Sequence, residues 1–297
     1  MSPAAAVAGA LSSGGYAAGW ALVRAMPEPL AVKLFQAGAD LAAARGGGGI
    51  DRLRANLARV APGQDLLREA VRSYARYWCE AFRLPSMKPD QILRGTATVG
   101  EERLRASVAS DRGTIMVLPH SGNWDVAGAW CGITGVPFTT VAERLKPESL
   151  YERFVAFRES LGMEVLPLTG GDRPPFEVLE ERLRAGGTVC LLADRDLTPR
   201  GIDVDFFGAT ARMPAGPAKL ALETGANLMP TTLSFSPGGW DMVFHPYVPP
   251  TDLTTMTQAV ARAFEAAIAK HPADWHMLQR LWLDDLADDD PRKVRQG

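Results

Sequence analysis

The chain is poor in the residues from which most catalytic and metal centres are built: four histidines and three cysteines among 297 residues. Cys79, Cys131 and Cys190 stand far apart with no C-x-x-C pairing, which argues against a zinc site and a disulfide framework. It leaves them as buried thiols of a reducing compartment. Net charge is also scarce, −2 over the whole chain, so no basic excess points to a nucleic-acid partner. There is no G-x-x-x-x-G-K-[ST] phosphate loop, no G-x-S-x-G elbow and no H-E-x-x-H, and the GGGG at 46–49 follows no strand. A spanning hydrophobic run is missing too. Residues 3–23 are apolar but rich in Ala, Gly and Ser with no basic segment before them, so neither a secretory signal nor a membrane-spanning helix is expected. Any meeting with a membrane would be at its surface.

What is present is a composition of 46% hydrophobic and 22% charged residues, enough for a large soluble core. Residues 1–95 read as helical, with a flexible break at RGGGGI (45–50). Ile50, Leu53, Leu57 and Val60, then Leu67, Val71, Tyr74, Trp78 and Phe82, recur at helical spacing. Between 45 and 83 eight arginines face four acidic residues, a local +4 that suits either a solvated helix face or an anionic lipid surface. After residue 95 the pattern alternates. Strands are expected at 114–118, 138–141, 164–168, 188–192, 228–235 and 241–245, and helices at 123–132, 147–161, 174–185, 214–224 and about 253–270. The expectation is an α/β fold with a central, largely parallel sheet flanked by helices, a helical region over 1–95 and a catalytic core over 96–297, integrated into one domain. Ligands of such sheets gather at the strand C-terminal ends.

The stretch TIMVLPHSGNWD (114–125) places His120 at such an end. Ser121, Gly122 and Asn123 read as turn and N-cap residues, and Asp125 falls in the first turn of the next helix. A carboxylate folding back onto Nδ1–H would fix the imidazole tautomer and free Nε2 as a base; a structural histidine beside a helix cap is the alternative. Asp194, Asp196, Asp203 and Asp205 fall within twelve residues and would suit magnesium in a phosphohydrolase, although GIDVDFF alternates like a strand and turns Asp203 and Asp205 to solvent. A noncatalytic glycolipid carrier is the other competing reading.

HSGNWD resembles the histidine–four residues–aspartate box of the lysophospholipid acyltransferase superfamily. Further blocks are similar, in order, to its lipid A acyltransferase branch: ERLKPESLYERFVAFRESLGMEVLPL, GGTVCLLADRDLTPRGIDVDFFGATARMPAGPAKLALETGANLMP and PADWHMLQRLW, over about residues 15–286. YAAGWALVRAMPE, SYARYWCEAFRLP and PLTGGDRPPFEVL are similar to the actinobacterial members that acylate phosphatidylinositol mannosides. The resemblance implies a glycerolipid acyltransferase-like fold and transfer of a long acyl chain, palmitoyl, from acyl-CoA as co-substrate to the 6-hydroxyl of the mannose on inositol position 2. It implies direct transfer, with His120 as base and Asp125 as its partner. Glu143 and Asp194 would accept from sugar hydroxyls, and Arg158 would pair with a phosphate or with Glu143. Arg195 would serve the acceptor or brace its loop, Arg212 would meet phosphate, and Trp124 would touch the acceptor, while Trp275 and Trp282 pack. No cofactor or metal is expected. The implied location is peripheral, on the cytoplasmic side of the cell membrane, with an anionic membrane surface as partner.

Overall fold

The computed structural model describes residues 19–144, 148–196, 200–288 and 290. Most of the apolar stretch 3–23 therefore lies outside the described residues. Seven strands form one sheet in the order β1-β9-β8-β2-β5-β3-β4. They are β1 (Thr96–Val99), β2 (Thr114–Leu118), β3 (Phe138–Ala142), β4 (Met163–Pro167), β5 (Thr188–Leu192), β8 (Asn227–Ser236) and β9 (Gly239–Phe244). Neighbours run parallel except β8 and β9, which form a hairpin. β6 (Ile202–Phe206) and β7 (Ala209–Met213) make a separate antiparallel pair.

β2 is the central strand, and all five of its residues are buried, as a strand covered by helices on both faces requires. The helices Trp124–Ile133, Glu148–Ser160, Pro175–Arg184, Gly216–Thr224 and Leu253–Ile268 lie within two residues of the expected bounds. The N-terminal region is helical over 19–25, Glu28–Arg45, Gly48–Val60, Leu67–Arg83 and Pro89–Gly95. The glycine break is shorter than expected. Gly46 and Gly47 take positive φ of 70° and 121°, and Gly48 already opens the next helix.

These helices share the core of the sheet. Leu53, Leu57 and Val71 lie in one buried cluster with Ile115, Val189, Phe264, Trp275 and Trp282. The buried Asn56 amide ties the helix Gly48–Val60 to the C-terminal segment through the carbonyls of Met277 and Gln279, at 2.7 and 2.9 Å. Among the described residues no helix is long and apolar enough to cross a membrane.

Candidate active site

β2 ends at Leu118, and Pro119 hands the chain to His120. Gly122 has φ +59°, and a Cβ there would meet the Leu233 backbone at 3.0 Å, so the turn needs glycine. Ser121 Oγ donates to the Leu233 carbonyl at 2.8 Å. Asn123 is the N-cap: its Oδ1 accepts from Val126 N at 3.1 Å and its Nδ2 donates to Glu80 at 2.8 Å. The helix Trp124–Ile133 thus begins beside the imidazole, with its positive end facing the strand terminus.

The carboxylate partner of His120 is Asp194. Nδ1 lies 2.5 Å from Asp194 Oδ1, and the backbone N–H of His120 donates to Oδ2 at 2.9 Å. The Trp275 indole donates to the same Oδ2 at 2.9 Å. Asp194 is wholly buried at the end of β5, next to β2. Burial pushes its carboxyl up, but the imidazole charge and the three N–H donors outweigh that and hold it below the usual aspartate range. An ionised carboxylate in this position makes Nδ1 the donor and leaves Nε2 as the basic nitrogen. Nε2 has no hydrogen-bond partner among the described residues, and the His120 side chain is 18% exposed, on the open side of the dyad.

This corrects two expectations. Asp125 does not fold back onto the imidazole, because its side chain is 1% exposed and committed elsewhere. Arg158 Nε donates to its Oδ1 at 2.8 Å, and Tyr77 OH donates to its Oδ2 at 2.9 Å. Asp194, in turn, has both oxygens occupied and no exposed surface, so no sugar hydroxyl reaches it. Arg158 pairs with Asp125 rather than with Glu143. Burial works against its charge, yet the Asp125 carboxylate more than compensates and holds the guanidinium above its usual pKa. Tyr77 is pushed well above the usual tyrosine value, first by burial and then by the Asp125 charge.

Glu143 is exposed beyond the end of β3 and has no ion-pair partner among the described residues. It and Arg158 do come together, in a cavity of about 70 Å³ that Tyr77, Trp78, Tyr151 and Phe154 also line. Trp124 links this cavity's wall to the His120 imidazole: its ring centroid is 4.1 Å from that of Tyr77 and 5.6 Å from that of His120. Arg195 is half-buried just past Asp194. Arg212 is a further correction. It is 3% exposed within the β6–β7 hairpin, and its Nε donates to Asp203 Oδ1 at 2.7 Å, which removes it from a phosphate. Asp205 pairs with Arg262 at 2.6 Å.

Three contributors were not legible in the sequence. Trp275 does more than pack, since it hydrogen-bonds the carboxylate paired with His120. Tyr77 lies on the helix Leu67–Arg83, far from the box in sequence. His276 donates its backbone N–H to the His120 carbonyl at 2.8 Å. The order of residues in PADWHMLQRLW was the one available signal for Trp275 and His276. A larger cleft of about 650 Å³ lies along the same helix, lined by Ser73, Arg76, Asp274 and Phe235 among others; neither His120 nor Asp194 lines it.

The sequence model of the bacterial lipid A biosynthesis acyltransferase family matches residues 12–284. A protein of Mycolicibacterium smegmatis bearing the name phosphatidylinositol mannoside acyltransferase is 55% identical over 291 residues, covering 95% of this chain and 94% of its own. Two proteins of the same name from Mycobacterium tuberculosis, of strains CDC 1551 and H37Rv, are 52% and 51% identical over 290 residues, covering 94% of this chain and 91% of theirs.

Proposed function

The chain belongs to the bacterial lipid A biosynthesis acyltransferase family, and from that premise we propose that it moves a palmitoyl chain from acyl-CoA to a phosphatidylinositol mannoside. The receiving group is the 6-hydroxyl of the mannose on inositol position 2. The observation that carries this reading is the His120–Asp194 dyad at the C-terminal edge of the sheet, with its second imidazole nitrogen unengaged.

A sugar hydroxyl is a poor nucleophile at neutral pH, whereas a thioester is already activated. His120 Nε2 takes the hydroxyl proton as the oxygen attacks the thioester carbonyl, a contribution of roughly 10²–10⁴-fold. The thioester C–S bond then breaks and the proton passes from the imidazolium to the leaving thiolate, so an ester and free CoA result. No covalent enzyme intermediate and no metal are needed for this proton balance. Asp194 stabilises the transient imidazolium in the manner of a triad carboxylate. Asp125 acts at one remove: it holds Arg158 and Tyr77 as walls of the acceptor cavity. Glu143 and Trp124 supply the exposed carboxylate and the aromatic face that a mannose ring can use.

Both substrates are lipids, and the protein meets them at a membrane surface. Leu30, Leu34 and Leu41, each more than half exposed, fall along one face of the helix Glu28–Arg45, with Leu22 exposed just before it. The arginine region contributes less charge than its count suggests. Arg68 and Arg72 share Asp40, and Arg76 is bound by Glu80 and by the carbonyls of Ser236 and Gly239.

Product analysis tests the proposal. Purified protein with palmitoyl-CoA and a mannoside acceptor is expected to release CoA only when acceptor is present, in step with a new ester, and to do so in excess chelator. CoA release independent of acceptor, or activity lost with chelator and restored by magnesium, would contradict it.

A further inference from the structure

The helix Glu148–Ser160 serves two hollows. Arg158 and Phe154 turn one face to the acceptor cavity, while Arg153, Ala156 and Phe157 turn the opposite face to an open trough of about 690 Å³. The helix over 19–25 and the turn at Pro85 and Ser86 close its other sides. The volume falls within the roughly 300–1,000 Å³ of ordinary ligand pockets. Half-buried Trp20 and buried Phe157 give it an apolar floor, and Ala21, Ala25 and Ala156 add apolar wall without bulk.

Two cations line the trough, Arg24 and Arg153, both exposed. Among the described residues no carboxylate lines it. The 650 Å³ cleft differs in this respect, since Glu28, Glu69, Glu80 and Asp274 offset its arginines. Arg24 Nε donates to Ser86 Oγ at 2.8 Å, which leaves both Nη groups as a fork with no partner among the described residues. Arg153 has no hydrogen bond or ion pair among the described residues, and the positions one turn further along its helix are Ala156 and Phe157. Uncompensated guanidinium groups beside an apolar floor suit a phosphate joined to hydrocarbon.

An aromatic wall divides this trough from the acceptor cavity. The Trp20 ring centroid is 5.3 Å from that of Phe154 and 5.7 Å from that of Phe157, and its Nε1 donates to the Phe82 carbonyl at 2.9 Å. The same short helix carries the exposed Leu22 and leads into the leucine face of Glu28–Arg45. We propose that the trough binds one anionic phospholipid of the membrane leaflet, with its phosphate at Arg24 and Arg153 and an acyl chain along Trp20 and Phe157, as a lipid site separate from the acceptor. The leaflet as source rests on the membrane reading above; the site itself rests on the charge and shape of the trough.

The test is calorimetric titration of full-length protein, without acceptor or acyl-CoA, using dihexanoyl phosphatidylglycerol below its micelle concentration. Saturable one-to-one binding is expected. Dihexanoyl phosphatidylcholine, with the same chains and a cationic group beside the phosphate, should bind at least tenfold more weakly, and so should inorganic phosphate, which lacks chains. Arg24→Gln and Arg153→Gln should each weaken phosphatidylglycerol binding roughly tenfold at unchanged melting temperature. Ala156→Trp, on the exposed side of its helix, should fill the trough and abolish binding with both arginines in place. In steady-state assays the lipid should not compete with the mannoside acceptor. Equal binding of the two phospholipids, equal binding of inorganic phosphate, or binding that none of the three variants weakens would overturn the site. Competition with the mannoside would place the lipid in the acceptor cavity and overturn its separateness. A wild-type protein that binds the lipid but acylates no mannoside would overturn the functional reading and leave the site standing.

Discussion

Arg158 Nε donates to Asp125 Oδ1 across 2.8 Å, and this pair takes the aspartate of the H-x₄-D box away from the histidine of the same box. Asp125 is 1% exposed and Arg158 19%, so each is the main compensation for the other's buried charge. Asp125→Asn is therefore expected to destabilise the protein by about 3–5 kcal/mol, as for other buried pairs broken on one side. The double variant with Arg158→Met should recover part of that loss. Thermal unfolding of the single and double variants checks this; additive losses would show that the two side chains are not coupled.

Asp194→Asn should be severe in a different way. The His120 and Trp275 N–H groups would retain the amide oxygen, leaving the amide NH₂ against Nδ1. Nδ1 then becomes the acceptor and the proton moves to Nε2, where a base is required. A fall in kcat of roughly 10²–10⁴-fold is expected, with both KM values little changed. Steady-state kinetics decide the matter, and a variant altered only in acceptor KM would place Asp194 on the sugar.

The elements visible in the sequence were those with a strong local signal. β2 and β5 are recovered to the residue because TIMVL and TVCLL are apolar runs bounded by turns. β1, with only TATV and a half-exposed pattern, carries no such signal and was missed. β7 was missed for a related reason: ATARM buries an arginine, which inverts the usual polarity. The position of His120 was legible, since a strand end and an N-cap are local features. Its partner was not. Asp194 lies 74 residues away and reaches His120 only through the β2–β5 pairing, whereas Asp125 was near in sequence and therefore looked available.

His276 also makes stability depend on pH. Its folded pKa is about 3 against an ordinary 6.5, so the unfolded chain binds the proton more readily between those values. Stability from this group is thus complete above about pH 6.5 and is lost as pH falls toward 3, by an amount on the order of a few kcal/mol. Asp194, whose folded pKa is also lowered, acts in the same direction at lower pH. Denaturant titrations from pH 7.5 to 4 should show this slope, and His276→Gln should flatten it. An equal slope in the variant would remove His276 as its source.

Membrane binding should depend more on leucines than on the paired arginines. Replacing Leu30, Leu34 and Leu41 by serine is expected to reduce binding to anionic vesicles at both low and high salt. Arg45 and Arg52 are exposed with no carboxylate partner among the described residues. Changing them to glutamine should remove only a salt-sensitive part, about 1 kcal/mol per residue, because 1 M salt shortens the Debye length to about 3 Å. Vesicle co-sedimentation measures both, and undiminished binding of the leucine variant would exclude this face.

In the proposed mechanism His120, set by Asp194, activates the sugar hydroxyl for direct transfer. It is tested most directly by locating the new ester on the product of a single turnover, with wild-type protein and with His120→Ala of matching melting temperature. The expected result is a palmitoyl ester on the mannose 6-hydroxyl from the wild type, equimolar CoA, no acylated protein, and no ester from the variant. Ester formation at an undiminished rate by His120→Ala, or an acyl-enzyme trapped on the wild type, would contradict it.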